Sequence, residues 1–400
     1  MIMDPVKTHS NTVSETELKE WLRSIGQPEY RCAQIRGWIF KDFAISPDEM
    51  KNVPAELRRK LVEKFTFCRT HEIKSDKSAD GTEKLLLKLH DAECVESVII
   101  PSPERCTFCL SSQVGCPVGC YFCASGVGGL IRNLDVSEIL DELFICCRKI
   151  GGTPDNIVFM GTGEPLMNYS NLVAALNIIG SAGYMGISPR RITVSTSGFV
   201  PGIIRLADER KPWNLAVSIH APTDKLRATL IPLKHRYPVK DICDACKYYF
   251  SNTGRIVTFE YTLVKDVNDS PSHALELATI AHACGAKVNL IPLNPVENST
   301  FLRPEKQIVS KFESILRSKK IPVTVRVEKG DNINAACGQL RVSHHGKQAV
   351  AVKDLMENHR GAVAVRAATN FAATDPTEKH KPRNTLITRK NTVKGKNNAK

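Results

Sequence analysis

Ser111-Ser112-Gln113-Val114-Gly115-Cys116-Pro117-Val118-Gly119-Cys120-Tyr121-Phe122-Cys123 sets three cysteines at C-x3-C-x2-C on a glycine-containing loop after a strand. Cysteines so spaced can converge on one metal centre. A tetrahedral structural zinc would need a fourth ligand nearby. Three thiolates around a four-iron cluster instead leave one iron open.

Outward from this loop, the chain changes character at about residue 104. Apolar, β-branched runs at Asn156–Gly161, Arg191–Ser197, Asn214–Ala221, Ile256–Val264, Lys287–Leu293 and Val323–Val327 read as strands. Helical patterns lie between them: one after Asp135, one after a cap at Ser170, then Val239–Phe250, Pro271–Cys284 and Pro304–Ser318. Strands alternating with helices predict an α/β fold with a parallel sheet, closed fully or partly into a barrel. Its active site belongs at the carboxyl ends of the strands, where nearly every motif below falls.

Before the loop, Leu18, Trp21, Leu22 and Ile25 recur at helical spacing, and further helices are expected over Arg31–Phe43 and Pro54–Phe65. A short strand-like stretch follows at Lys84–Leu89 and Val95–Ile100. The expected organisation is a helical accessory domain over 1–95, a catalytic core over 96–342 and a basic tail over 343–400.

Composition bounds the function. Hydrophobic residues make up 42% of 400, enough for a buried core and against wholesale disorder. The first twenty residues hold no apolar segment of signal-peptide length, and no eighteen apolar residues run together, so a cytoplasmic chain without a membrane span is expected. Fourteen cysteines in such a chain point to metal ligands, catalytic thiols or core residues rather than disulfides. Cys146 and Cys147 lie in an apolar helical run and read as core, as do Cys32, Cys68, Cys94, Cys243, Cys246 and Cys284. The net charge of +13 suggests a polyanionic partner, but eight Lys or Arg without an acid fall within 379–400, so charge alone supports RNA binding only weakly.

The cysteine loop, with an aromatic before its last cysteine, resembles the signature of the radical S-adenosylmethionine superfamily. Over about residues 15–342 the chain resembles the RlmN-type RNA adenine-C2 methyltransferases, relatives of the Cfr resistance enzymes. The motifs SSQVGC, GTGEPL, STSG, SIHAP, KVNLIPLNP and GDNINAACGQL carry that resemblance, together with EWLRSIGQPEYRCAQIRGWIF near the N-terminus. It implies a radical S-adenosylmethionine partial (β/α)6-type barrel with a small helical N-terminal domain. It also implies a [4Fe-4S] cluster on Cys116, Cys120 and Cys123, whose open iron holds the amino and carboxylate groups of S-adenosylmethionine. One electron then releases a 5′-deoxyadenosyl radical.

The resemblance further implies which residues act. Adenine C2 lies between two electron-withdrawing nitrogens and is a poor nucleophile, so direct polar methyl transfer is unattractive. Cys337 thiolate takes a methyl from one S-adenosylmethionine by displacement, and the radical from a second activates that methyl for addition to C2. Cys109 resolves the RNA–protein thioether through a transient disulfide, and Glu96 matches the family's proton acceptor. As residues alone, Cys109 and Cys337 would more often be core thiols, and Glu96 could equally be a solvated carboxylate on an edge strand. Gly163, Glu164, Ser195, Ser218, Ile219, His220 and Asn294 match the S-adenosylmethionine contacts. The substrates implied are adenosine 2503 of 23S rRNA and adenosine 37 of some tRNAs, with a reductant such as flavodoxin or ferredoxin and a monomeric enzyme. Arg31, Arg36, Lys41, Arg58, Arg59 and Lys60 are candidates to grip the RNA, against the alternative of a solvated helix face.

Two departures stand out. Thr162 occupies a position usually Met, and the apolar Gly126-Val127-Gly128-Gly129-Leu130 replaces a more polar stretch, which bears on substrate range. Methylation at C8, as in Cfr, is the alternative within enzymes. A non-catalytic iron–sulfur RNA-binding protein is the alternative outside them.

Overall fold

Alternating apolar strands and amphipathic helices demand a sheet covered by helices, and the computed structural model has that form. It describes residues 7–232, 236–294, 299–326, 329–330 and 333–340; the expected tail, Pro295 of the LNP motif, and Asp331 and Asn332 lie outside the described residues.

Three helices come first: α1 (Glu15–Ser24), α2 (Tyr30–Phe40) and α3 (Ala55–Lys64). The Ser14 hydroxyl accepts the Glu17 amide and fixes the start of α1, while Leu18 and Leu22, one turn apart, are buried. An antiparallel run follows: β1 (His71–Lys77), β2 (Glu83–Lys88), β3 (Cys94–Ser102) and β4 (Arg105–Cys109). A separate hairpin, β5 (Gln113–Gly115) with β6 (Leu130–Asn133), brackets the cysteine loop.

The remaining elements are α4 (Val136–Ile150), β7 (Asn156–Phe159), α5 (Tyr169–Gly180), β8 (Ile192–Thr196), α6 (Val200–Asp208), β9 (Asn214–Ser218) and the short α7 (Asp224–Arg227). Then come α8 (Val239–Thr253), β10 (Thr258–Leu263), α9 (Pro271–Cys284), β11 (Lys287–Pro292), α10 (Lys306–Ser318) and β12 (Val323–Val325). Ten strands make one sheet in the order β1-β2-β3-β4-β7-β8-β9-β10-β11-β12. Every neighbouring pair from β4 to β12 is parallel. Six strand–helix–strand crossovers in sequential order give the partial (β/α)6-type barrel that the alternation predicts. Among the described residues β12 pairs with β11 alone, so the sheet stays open.

Its parallel strands are buried and their sequences correspondingly apolar: Leu215, Ala216 and Val217 on β9 are at most 1% exposed, and Phe159, Phe259 and Tyr261 are fully buried. On α4, Asp135 and Glu138 form a reciprocal capping box and Gly151, at φ +68°, ends the helix. Cys146 and Cys147 pack in its core face, as expected.

Several sequence expectations need correction. Helix α5 starts at Tyr169 behind Asn168, so Ser170 lies in its first turn rather than at its cap. Strand β1 escapes the strand reading, because its sequence HEIKSDK is polar except for Ile73; β4, the strand expected only without bounds before the cysteine loop, is the first parallel strand, paired with β7. Glu96 is on no edge: β3 has β2 on one side and β4 on the other, and Glu96 is 3% exposed.

Candidate active site

Glycines shape the cysteine loop. A Cβ on Gly126 would stand 2.7 Å from the Gly119 Cα, and one on Gly115 would stand 2.1 Å from the Gly129 carbonyl oxygen, so the loop closes on itself only because these side chains are missing. The Cys116 amide donates to the Gly129 carbonyl and the Cys123 amide to Cys120, which gathers the three thiols on one wall. Burial pushes the Cys116 thiol up to about 12, with Cys123 adding to the shift; burial, then Cys123 and Cys116, raises Cys120 further. Burial also raises Cys123. Three crowded, desolvated thiols resist ionisation unless a cationic centre joins them, so the donor set fits an iron–sulfur cluster. No group of three or more His, Cys, Asp or Glu among the described residues is arranged for a single ion. A four-iron cluster engages thiolates spread more widely than one ion does.

That wall belongs to a cavity of about 910 Å³, solvent at its mouth included, at the carboxyl ends of the parallel strands. Its mostly apolar walls with a few convergent polar groups suit a small organic ligand. Gly163, at φ +113°, leaves room where a Cβ would press on the Ser112 hydroxyl at 2.7 Å. Glu164 is 2% exposed and its oxygens accept the Ser197 amide at 2.6 Å and the Leu166 amide at 3.2 Å. Burial raises its carboxyl, and those amides oppose the rise. Ser195 and Ser218 reach the wall from the ends of β8 and β9.

His220, just beyond β9 at φ +52°, accepts the Thr262 amide on Nδ1 at 3.0 Å and meets the Phe122 ring edge-on. Burial lowers it to about 3, so the ring is neutral and Nε2 carries its proton. Asn294 donates from Nδ2 to the Cys337 carbonyl at 2.9 Å, while its buried Oδ1 has no partner; the buried Ser197 hydroxyl has none either. Unsatisfied buried polar atoms in a cavity wall call for a polar ligand. Ile219 differs from the expectation. Its side chain is fully buried in the core, and its amide is taken by the Val217 and Glu260 carbonyls.

Cys337 lines the same cavity. Its segment is tied to the cysteine loop, since the Ala124 amide donates to Gly338 and the Ser125 hydroxyl to Leu340. Cys109 ends β4, opposite Val98 of β3, and packs with Val98, Ala335 and Leu340. It therefore sits beneath the Cys337 segment rather than in the cavity wall. Burial pushes its thiol up to about 12, the nearby Cys337 adds to this, and Arg326 opposes it. Arg326, just past β12, lines the cavity, and its guanidinium is held charged chiefly by Cys337, then by Glu260 and Cys109. Glu96 shares its strand face with Val98, two residues on, and pairs with Lys84 at 3.0 Å. Sequence reading missed Arg326 and Lys84, because neither stands in a motif it singled out.

Of the basic residues expected to grip RNA, Arg36 is structural. It is 7% exposed, donates to the Val13 and Gly183 carbonyls, and stacks on Phe40 and Tyr184. Arg31 and Arg58 donate to the Asn52 and Asp48 carbonyls, and Lys60 pairs with Glu56. Lys41 and Arg59 are exposed.

Residues 110–278 match the radical SAM superfamily, and residues 12–66 match the ribosomal RNA large subunit methyltransferase N-terminal domain. A probable dual-specificity RNA methyltransferase RlmN from Rhodopirellula baltica is 43% identical over 84% of this chain and 91% of its own. One from Clostridioides difficile is 42% identical over 85% and 99%. The crystal structure of a radical SAM methyltransferase from Sphaerobacter thermophilus superposes with a TM-score of 0.79 at 43% identity, covering 84% of this chain and 99% of that one. No described helix is long and apolar enough to cross a membrane.

Proposed function

The chain belongs to the RlmN family of radical S-adenosylmethionine-dependent, dual-specificity RNA methyltransferases, and from that premise we propose that it methylates C2 of an adenine in 23S rRNA and in tRNA. Its cofactors are a [4Fe-4S] cluster and S-adenosylmethionine. Cys116, Cys120 and Cys123 hold the cluster, and Gly163, Glu164, Ser195, Ser218, His220 and Asn294 surround S-adenosylmethionine, with Ile219 contributing backbone position alone. When bound, the two supply a methyl group, an electron and a 5′-deoxyadenosyl radical.

The protein's own residues do the rest. Cys337 accepts the methyl as a thioether and carries it to the base. Glu96 takes the C2 proton. Cys109 attacks the Cys337 sulfur of the RNA adduct: the carbon–sulfur bond breaks, and its electron pair and the thiol proton complete the methyl group on the base. The Cys109–Cys337 disulfide so formed is restored to two thiols by an external dithiol. A reductant such as flavodoxin or ferredoxin supplies the single electron for radical formation. Cys109 is suited to wait for that step, because burial keeps it a thiol.

The observation that carries this reading is that Cys337 lines the same cavity as the three-cysteine loop, with Cys109 packed against its segment. Anaerobically reconstituted protein is expected to convert adenosine to 2-methyladenosine in both RNAs, read by mass spectrometry of digests; 8-methyladenosine would assign the Cfr-type reaction instead. Cys337→Ala is expected to abolish methylation. Cys109→Ala is expected to leave RNA covalently attached to the protein, visible as a shifted band on a denaturing gel.

A further inference from the structure

Lys84 lies on β2, and in the β2–β3 register it faces Val98 while Leu86 faces Glu96. Paired residues of an antiparallel ladder share a face, so Lys84, Glu96, Val98 and, through the β3–β4 pairing, Cys109 form one patch. The Cys337 segment covers this patch: Ala335 and Leu340 pack on Val98 and Cys109.

Lys84 makes two contacts there. Its Nζ lies 3.0 Å from Glu96 Oε1, with side chains 12% and 5% exposed, and it donates to the Asn334 carbonyl at 3.2 Å, three residues before Cys337. One ammonium thus joins the carboxylate assigned to take the C2 proton and the backbone of the segment that carries the methyl. A poorly hydrated carboxylate stays ionised beside an ammonium, and a charge-assisted hydrogen bond fixes its direction.

We propose that Lys84 is a positioning residue for the transfer, holding Glu96 as an aimed carboxylate and tying it to the Cys337 segment. This rests on Glu96 being the proton acceptor. In the step concerned, the adenine C–H bond breaks, its proton passes to a Glu96 oxygen and its electron pair stays on the ring, while the odd electron left by the radical addition passes to the oxidised cluster.

The test compares Lys84→Gln, which keeps a donor without the charge, Lys84→Arg, which keeps both, and Glu96→Gln. Two quantities are read: the fraction of RNA trapped as covalent adduct, and the alkylation rate of Cys337 by iodoacetamide in cluster-free protein. Lys84→Gln is expected to raise both by about tenfold, the worth of one charge-assisted hydrogen bond. Lys84→Arg restores both. Glu96→Gln traps adduct as well. If Glu96→Gln traps adduct and Lys84→Gln does not, the role of Lys84 is overturned while that of Glu96 stands. If Glu96→Gln traps none, the reading of Glu96 fails and takes this one with it. An equal loss of Cys337 methylation and adduct formation in Lys84→Gln makes the lysine merely structural, which also overturns the proposal.

Discussion

At the scale of single residues, the cysteine loop depends as much on what is missing as on its thiols. Gly126 approaches the Gly119 backbone so closely that one methyl group cannot be fitted without moving the main chain. Gly126→Ala is therefore expected to open the loop and separate Cys123 from Cys116. The reconstituted variant should carry less than half the iron and visible absorbance of the wild type while melting at nearly the same temperature, because the loop contributes little of the main core. Asn294 shows how one residue serves two ends. Its amide nitrogen secures the Cys337 carbonyl while its oxygen remains open to a ligand.

At the scale of elements, α4 holds the sheet and the start of the loop together. Glu142 on α4 accepts the Ser97 hydroxyl of β3 at 2.6 Å and the Ser111 amide beyond β4 at 3.0 Å. Burial pushes its carboxyl up from 4.5 to about 8. The folded state therefore keeps a proton that the unfolded chain gives up, and stability falls as pH rises from about 4.5 through about 8. Glu142→Gln mimics the protonated acid. Between pH 6.5 and 8.5 the melting temperature of cluster-free wild type is expected to fall relative to that variant, by at most ~1.4 kcal/mol of stability per pH unit. A constant difference across that range would show that Glu142 is already ionised in the fold. Asp141, one residue earlier, joins the accessory helices to the same α4 by accepting from Asn11 at 2.8 Å and from Thr70 at 3.1 Å.

At the scale of the whole molecule, charge and site are separable. Residues 379–400 hold eight of the basic residues and no acid, whereas the groups proposed to react, Glu96, Cys109 and Cys337, all lie before residue 341. Clustered cations raise affinity for any polyanion by releasing counterions. Deleting 379–400 is expected to weaken RNA binding at low salt and to flatten its salt dependence, measured by filter binding. The methylated position should be unchanged. A changed position would show that the tail takes part in choosing the site.

The sequence by itself determined the alternation of strands and helices, the three-cysteine loop and the family of motifs. Each of these is written in local spacing, which a single chain segment carries. Helix α9 over Pro271–Cys284 was legible to the residue, since Pro near its start and Gly285 after its end punctuate it. Only the tertiary structure decided that Glu96 is buried against Lys84, that Arg36 is a structural clamp, that Ile219 turns away from the cavity, and that Cys109 lies beneath the Cys337 segment. Those facts depend on sheet register and on contacts between segments far apart in the chain, such as Lys84 with Asn334, where no local pattern records the partner.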